Sequence, residues 1–266
     1  MSTPKVESEK HGELNCWRIT TEHAELLVAQ QGAQVLSSQR IGEPPLLWLS
    51  DQAIFKQGKS VRAGVPVCWP WFGQLARNPQ SVQSMYHASE APAHGLVRGR
   101  DWQLLGIDNS GEHVRIEFTL PETRGDLPGW PHNVELTLSI VMGEQLNISL
   151  CSYNLDNVPV TISQALHSYF AVSDVREVSV EGVDGLAYVE TLADWEQRTQ
   201  DGNLGFAGET DRIYLQAPDR LSIVDPKWNR RISLTSSGSR SAVIWNPWID
   251  RAAELTDMAN DGWQRM

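Results

Sequence analysis

Five side chains stand out for the chemistry they can do: Arg62, His94, Arg98, His167 and Asp211. Arg62 opens the run Arg62-Ala63-Gly64-Val65-Pro66-Val67-Cys68-Trp69-Pro70-Trp71-Phe72-Gly73. Glycine there permits a close backbone approach and proline fixes its own φ, so the segment can aim a guanidinium inward. A planar guanidinium pairs two phosphate oxygens at once. An isolated arginine would instead make a weak surface ion pair. Trp69, Trp71 and Phe72 offer flat faces suited to the C–H faces of sugar rings, and are equally good core filling. His94-Gly95-Leu96-Val97-Arg98 sets a second arginine four residues from a histidine, a spacing that puts both on one face of extended or helical backbone. The two segments point to a small anionic, ring-shaped ligand.

His167 closes the apolar alternating run Val160 to Leu166 and precedes Ser168-Tyr169-Phe170, which places it at the end of an expected strand. Partial burial there lowers a histidine pKa, and a value near neutrality would suit proton transfer. A core histidine bonded to backbone is the competing reading. Asp211 stands at an expected loop-to-strand junction, where it either accepts hydrogen bonds from sugar hydroxyls or caps a turn. Trp245-Asn246-Pro247-Trp248 is an aromatic turn at which a strand must stop.

Something must hold these groups, and composition limits what. The chain has 266 residues, 41% of them apolar, near the upper size for one hydrophobic core. Its net charge of −11 argues against a nucleic-acid groove, because phosphate backbones are held by excess Lys and Arg. Residues Met1 to Glu13 lack the apolar run of a signal peptide, and no stretch approaches the roughly 20 apolar residues of a spanning helix. The three cysteines, Cys16, Cys68 and Cys151, are far apart and suit a reducing cytoplasm better than a disulfide framework. No phosphate loop, dinucleotide-binding glycine pattern or nucleophile elbow is present, and His87, His94 and His167 lack tight metal-ligand spacing. The expectation is a cytoplasmic monomer acting on a small molecule, with no cofactor, metal, nucleic acid or membrane partner.

Strand periodicity dominates. His113 to Leu120 alternates polar and apolar residues, as do Val134 to Ile140 and Leu146 to Leu150, with Met142-Gly143-Glu144-Gln145 as a hairpin turn between the last two. Further strands are expected within 14–19, 24–29, 102–107, 160–166, 212–215, 221–224, 232–234 and 242–245. Helical patterns are scarce. An all-β class, a large sandwich or barrel in one domain over residues 1–266, is the expectation.

Taken together, Arg62 to Pro70, His94 to Arg98, Leu166 to Phe170, Thr210 to Tyr214 and Trp245 to Trp248 resemble the hexose-6-phosphate mutarotase branch of the aldose 1-epimerase family. The likeness runs from about Cys16 to the end of the chain. It implies a galactose-mutarotase-like β-sandwich (supersandwich) that interconverts α and β anomers of a hexose 6-phosphate, glucose 6-phosphate first. It implies His167 as general acid, Arg62 and Arg98 as ligands of substrate and its phosphate, Asp211 on sugar hydroxyls, and His94 near the reacting end. Ala93 stands where family members often carry Gln. The family's glutamate base follows residues like Asp261 to Met266, so the resemblance puts it beyond Met266, along with the last strand. The alternatives are a non-catalytic carbohydrate-binding β-sandwich, which would tolerate loss of His167, and a metal-dependent cupin-like isomerase.

Overall fold

Alternating apolar residues build the first of two compact units. The computed structural model describes residues 4–121, 123–124 and 126–266, and they divide into Met1–Leu49 with Ile54–Tyr169, and Ser50–Ala53 with Phe170–Met266. In the first unit, β1 (Lys5–His11), β2 (Leu14–Thr20), β3 (Ala24–Ala29) and β4 (Val35–Arg40) form an antiparallel meander. After them come β5 (Val67–Cys68) and the short helix α1 (Gln80–Gln83). A second meander follows: β6 (Gln103–Asp108), β7 (Val114–Leu120), β8 (Val134–Met142) and β9 (Leu146–Asn154). β10 (Ala165–Leu166) pairs with β5.

The period-two expectation holds along β7 and β8. Val114, Ile116 and Phe118 on one strand, and Leu136, Leu138, Ile140 and Met142 on its neighbour, all turn into the core. Each such side chain contributes roughly 1.5–3 kcal/mol relative to exposure. Trp17 of β2 meets Phe118 of β7 with ring centroids 5.4 Å apart, so the two meanders share apolar contact. The hairpin between β8 and β9 turns at Gly143 to Gln145, with Met142 opposite Leu146.

Strand periodicity misses β1, β4 and β5 in this unit and overreaches at one strand. β1 carries no apolar alternation and escapes period analysis; it forms through its backbone ladder to β2, as an edge strand whose exposed charges discourage further pairing. The expected strand over 160–166 contracts to Ala165–Leu166, paired with the two-residue β5, while Ser163 makes only an isolated bridge to Trp71.

The second unit also has two four-stranded antiparallel sheets. Its strands are β11 (Ser179–Glu181), β12 (Ala187–Glu190), β13 (Glu196–Thr199), β14 (Leu204–Gly205), β15 (Thr210–Tyr214), β16 (Arg220–Asp225), β17 (Arg230–Thr235) and β18 (Ala242–Asn246). They are ordered β14-β11-β16-β17 and β13-β12-β15-β18, around a core of Val180, Val183, Tyr188, Leu204 and Tyr214. β18 ends at the aromatic turn, and helix α2 (Trp248–Ala253) follows. The fully buried Asn246 fixes this corner. Its Nδ2 donates to the carbonyls of Trp263 and Met266 at 2.9 and 3.1 Å, and its Oδ1 accepts from the Trp248 N–H at 2.9 Å. The described chain is thus predominantly β, and no helix among the described residues is long and apolar enough to cross a membrane.

Candidate active site

A narrow backbone seam in the first unit sets the positions of Arg62 and His167. The Gly64 N–H donates to Trp48 O and the Val65 N–H to Val35 O, both at 2.8 Å. On the other side the Tyr169 N–H donates to Gly64 O at 2.8 Å and the His167 N–H to Pro66 O at 2.9 Å, continuous with the pairing of β5 and β10. Pro66 has no N–H to give, so only its carbonyl enters the ladder. Gly64 has φ +50°, and a Cβ there would stand 1.9 Å from Val35 O. No other residue fits that approach.

Side chains two apart on extended backbone share a face, which brings His167 and Tyr169 together. Their rings stack with centroids 4.6 Å apart and planes 20° apart. Arg62 joins them, its Nη1 donating to the Tyr169 hydroxyl at 3.1 Å.

His94 arrives differently. The expectation that it shares a regular face with Arg98 is corrected, because His94 and Gly95 both have positive φ, +64° and +78°, in a turn. The loop is held by backbone bonds, His94 N–H to Gly73 O and Leu96 N–H to Trp69 O, both at 2.7 Å. A Cβ at Gly95 would lie 2.0 Å from Trp69 O. The Arg98 Nη2 then folds back to donate to the Ala93 carbonyl at 2.6 Å. That bond needs only main chain at position 93.

The result is a compact polar and aromatic cluster. The His94 and His167 rings are 5.5 Å apart, and Phe72 lies 5.0 Å from one and 5.9 Å from the other. Arg98 has a buried Nε with no hydrogen-bond partner, and among the described residues no carboxylate pairs with this guanidinium. A buried N–H on a cation without an acceptor is costly, and an incoming anion relieves it. Trp69 and Trp71 take the core role. Both are fully buried, with Nε1 donating to Ser152 Oγ at 3.2 Å and to Pro92 O at 3.0 Å respectively. His87 packs against His132 instead of joining the other two histidines, and among the described residues no three His, Cys, Asp or Glu side chains gather as a metal set.

Asp211 belongs to the second unit, near the start of β15, paired with Trp245 of β18. Its carbonyl accepts from the Thr191 N–H and hydroxyl at 3.1 and 3.0 Å. Burial pushes its carboxyl pKa up, opposed by the Thr191 hydrogen bond and assisted by the nearby Glu190.

A model of the aldose 1-epimerase family matches residues 15–266. The chain belongs to the aldose 1-epimerase family. An Escherichia coli protein described as "putative glucose-6-phosphate 1-epimerase" is 32% identical to it, over 98% of this chain and 84% of the relative. The crystal structure of a "putative mutarotase (YeaD)" from Salmonella typhimurium superposes with a TM-score of 0.87 at 29% identity, covering 98% of this chain and 83% of that one. A galactose mutarotase-like protein from Clostridium acetobutylicum shares the fold at a TM-score of 0.69 and 15% identity, over 91% and 84% of the two chains. This epimerase is therefore an isomerase that interconverts sugar anomers on a galactose-mutarotase-like fold.

Electrostatics keeps both site histidines of the epimerase neutral at pH 7. Burial pushes His94 down to about 3, assisted by Arg98, His167 and Arg62. Burial likewise holds His167 at about 4, with Arg98 and Arg62 pushing the same way and its backbone hydrogen bond opposing them. The lowering expected from partial burial is present, and Arg98 and Arg62 add to it. The Gly73 N–H donates to His94 Nδ1 at 3.3 Å. That nitrogen is an acceptor, so the ring proton sits on Nε2 and is available for donation.

These shifts have a consequence for folding. The unfolded chain protonates both histidines as pH falls below their ordinary value of 6.5, whereas the folded chain waits until about 4 and 3. Stability is therefore retained above about pH 6.5 and lost as pH falls from there toward 4. Replacing His94 by Asn keeps an acceptor for the Gly73 N–H and a residue tolerant of positive φ. The variant is expected to lose less stability than the parent between pH 7 and 5, by on the order of 1–2 kcal/mol. Urea titrations at the two pH values measure this, and equal losses in both proteins would contradict it.

Proposed function

We propose that this epimerase interconverts the α and β anomers of a hexose 6-phosphate, glucose 6-phosphate first, with His167 as the general acid. The observation that carries the reading is Arg98, whose buried guanidinium Nε has no hydrogen-bond partner, in one cluster with Arg62 and two neutral histidines. An anion-binding pair beside a proton-transfer group suits a phosphorylated sugar. The relatives' descriptions name the same substrate for themselves.

Arg62 and Arg98 take the phosphate, and His94 donates from Nε2 to a sugar oxygen near the reacting end. A base removes the proton of the anomeric hydroxyl, the bond from C1 to the ring oxygen breaks, and His167 protonates that oxygen. Rotation about C1–C2 then lets the ring close on either face. In this reading residues 1–266 belong to one mutarotase-like β-sandwich domain. Phosphate binding also bears on the acid. Two cations help hold His167 low, so an anion placed between them raises its proton affinity as substrate arrives.

Anomer exchange spectroscopy with glucose 6-phosphate and with glucose tests the proposal. Faster exchange of the phosphorylated sugar is expected. Equal rates on the two sugars would sink the phosphate role of the arginines.

A further inference from the structure

One side chain touches both halves of the proposed chemistry and has no role so far. Tyr169 is buried, stacked face to face on the His167 ring at 4.6 Å, and its hydroxyl accepts the Arg62 Nη1 at 3.1 Å. It also leans on Trp48, with centroids 5.9 Å apart, while its backbone bonds to Gly64 and Trp48 fix the segment that carries it. It is therefore anchored by main chain on both sides, which makes it a rigid reference point for a flexible guanidinium.

We propose that Tyr169 is a specificity-determining positioning residue, whose hydroxyl presets Arg62 for the substrate phosphate while its ring fixes the plane of His167. The proposal rests on the assignment of Arg62 to the phosphate. Free arginine side chains carry several rotamers, and ordering one on binding costs affinity. A hydroxyl held in place removes part of that cost before the ligand arrives, and it does so only for ligands that use Arg62. The effect should fall on discrimination between phosphorylated and plain sugar. The shared face of His167 and Tyr169 couples this to the acid, because displacement of the ring would also move the imidazole.

The test is a mutant cycle read by calorimetric binding of glucose 6-phosphate and of glucose. Tyr169→Phe keeps the buried ring and its stack and removes only the hydroxyl; circular dichroism melting confirms that the fold survives. The preference for glucose 6-phosphate, taken as the ratio of the two Kd values, is expected to fall roughly tenfold, the worth of one hydrogen bond to a charged group. In an Arg62→Ala background the same Tyr169→Phe change should alter the ratio no further, since the group it positions is gone. A ratio unchanged by Tyr169→Phe, or one that falls as far in the Arg62→Ala background, overturns the proposal. If Arg62→Ala itself leaves the ratio at its parental value, the phosphate assignment fails first and takes this inference with it.

Discussion

Replacing His167 by Asn is expected to slow anomer exchange of glucose 6-phosphate by roughly 10²- to 10⁴-fold, about 3 to 5 kcal/mol of barrier, while the Kd for the sugar phosphate changes much less. The asymmetry follows from where the ring sits. Its neighbours Arg62 and Arg98 are the groups that meet the anion, whereas His167, neutral in the free protein, delivers a proton once the bound anion has raised its proton affinity. Loss of a transition-state interaction lowers kcat without a matching loss of ground-state affinity. Asparagine preserves polarity and much of the volume against Phe72, His94 and Tyr169. Exchange measured by NMR at saturating substrate decides it. Undiminished turnover in the variant would remove His167 from the chemistry.

Gly64→Ala is expected to destabilise the protein by on the order of 3 kcal/mol or more, lowering the thermal midpoint by roughly 6–12 °C. Two penalties combine. The residue has φ +50°, and its new methyl would lie 1.9 Å from Val35 O and 2.8 Å from Leu36 O, both main-chain atoms that cannot swing away. Relief requires opening the seam in which Gly64 bonds Trp48 and Tyr169, and that seam carries Arg62 and His167. Sugar-phosphate affinity should therefore fall along with stability. Calorimetric melting of the variant measures the first effect; a midpoint within 2 °C of the parent, on the order of a 1 kcal/mol change, would show that the backbone yields there at little cost.

Much of the fold was legible because a half-buried strand writes its geometry into alternation. β7 and β8 could be read residue by residue, since every second side chain had to be apolar to fill the core. β1 could not, because an edge strand with exposed charges is held by backbone bonds that every sequence can make. The contraction of the 160–166 strand to two residues has a related cause: an apolar alternating run shows that a strand can form, while its length depends on how much partner backbone lies alongside.

The candidate site divides in the same manner. Arg62, His94, Arg98 and His167 were identifiable from residue type and from the glycine and proline beside them, and the first unit gathers all four into one cluster. A regular face was expected for His94 and Arg98, but two positive-φ residues and a carbonyl at position 93 place them. Phe72 and the two tryptophans looked alike as sugar platforms, and only burial separated the ring that lies against the histidines from the two that fill the core. Tyr169 was visible two residues after His167, a spacing that announces a shared face, yet nothing local to the chain could show that its hydroxyl meets Arg62 across 107 positions.

The sequence by itself determined the chemistry on offer: two arginines, two histidines and a carboxylate, carried on a mostly β chain whose motifs match one family in order. Local spacing and residue type suffice for that, because strand period, turn residues and functional groups are properties of neighbours along the chain. Tertiary structure alone decided the protonation state of the histidines and the company they keep. Desolvation and the field of distant cations depend on which segments lie together in space, and a pKa of about 4 for His167 exists only where folding has buried its ring and brought Arg98 and Arg62 near it.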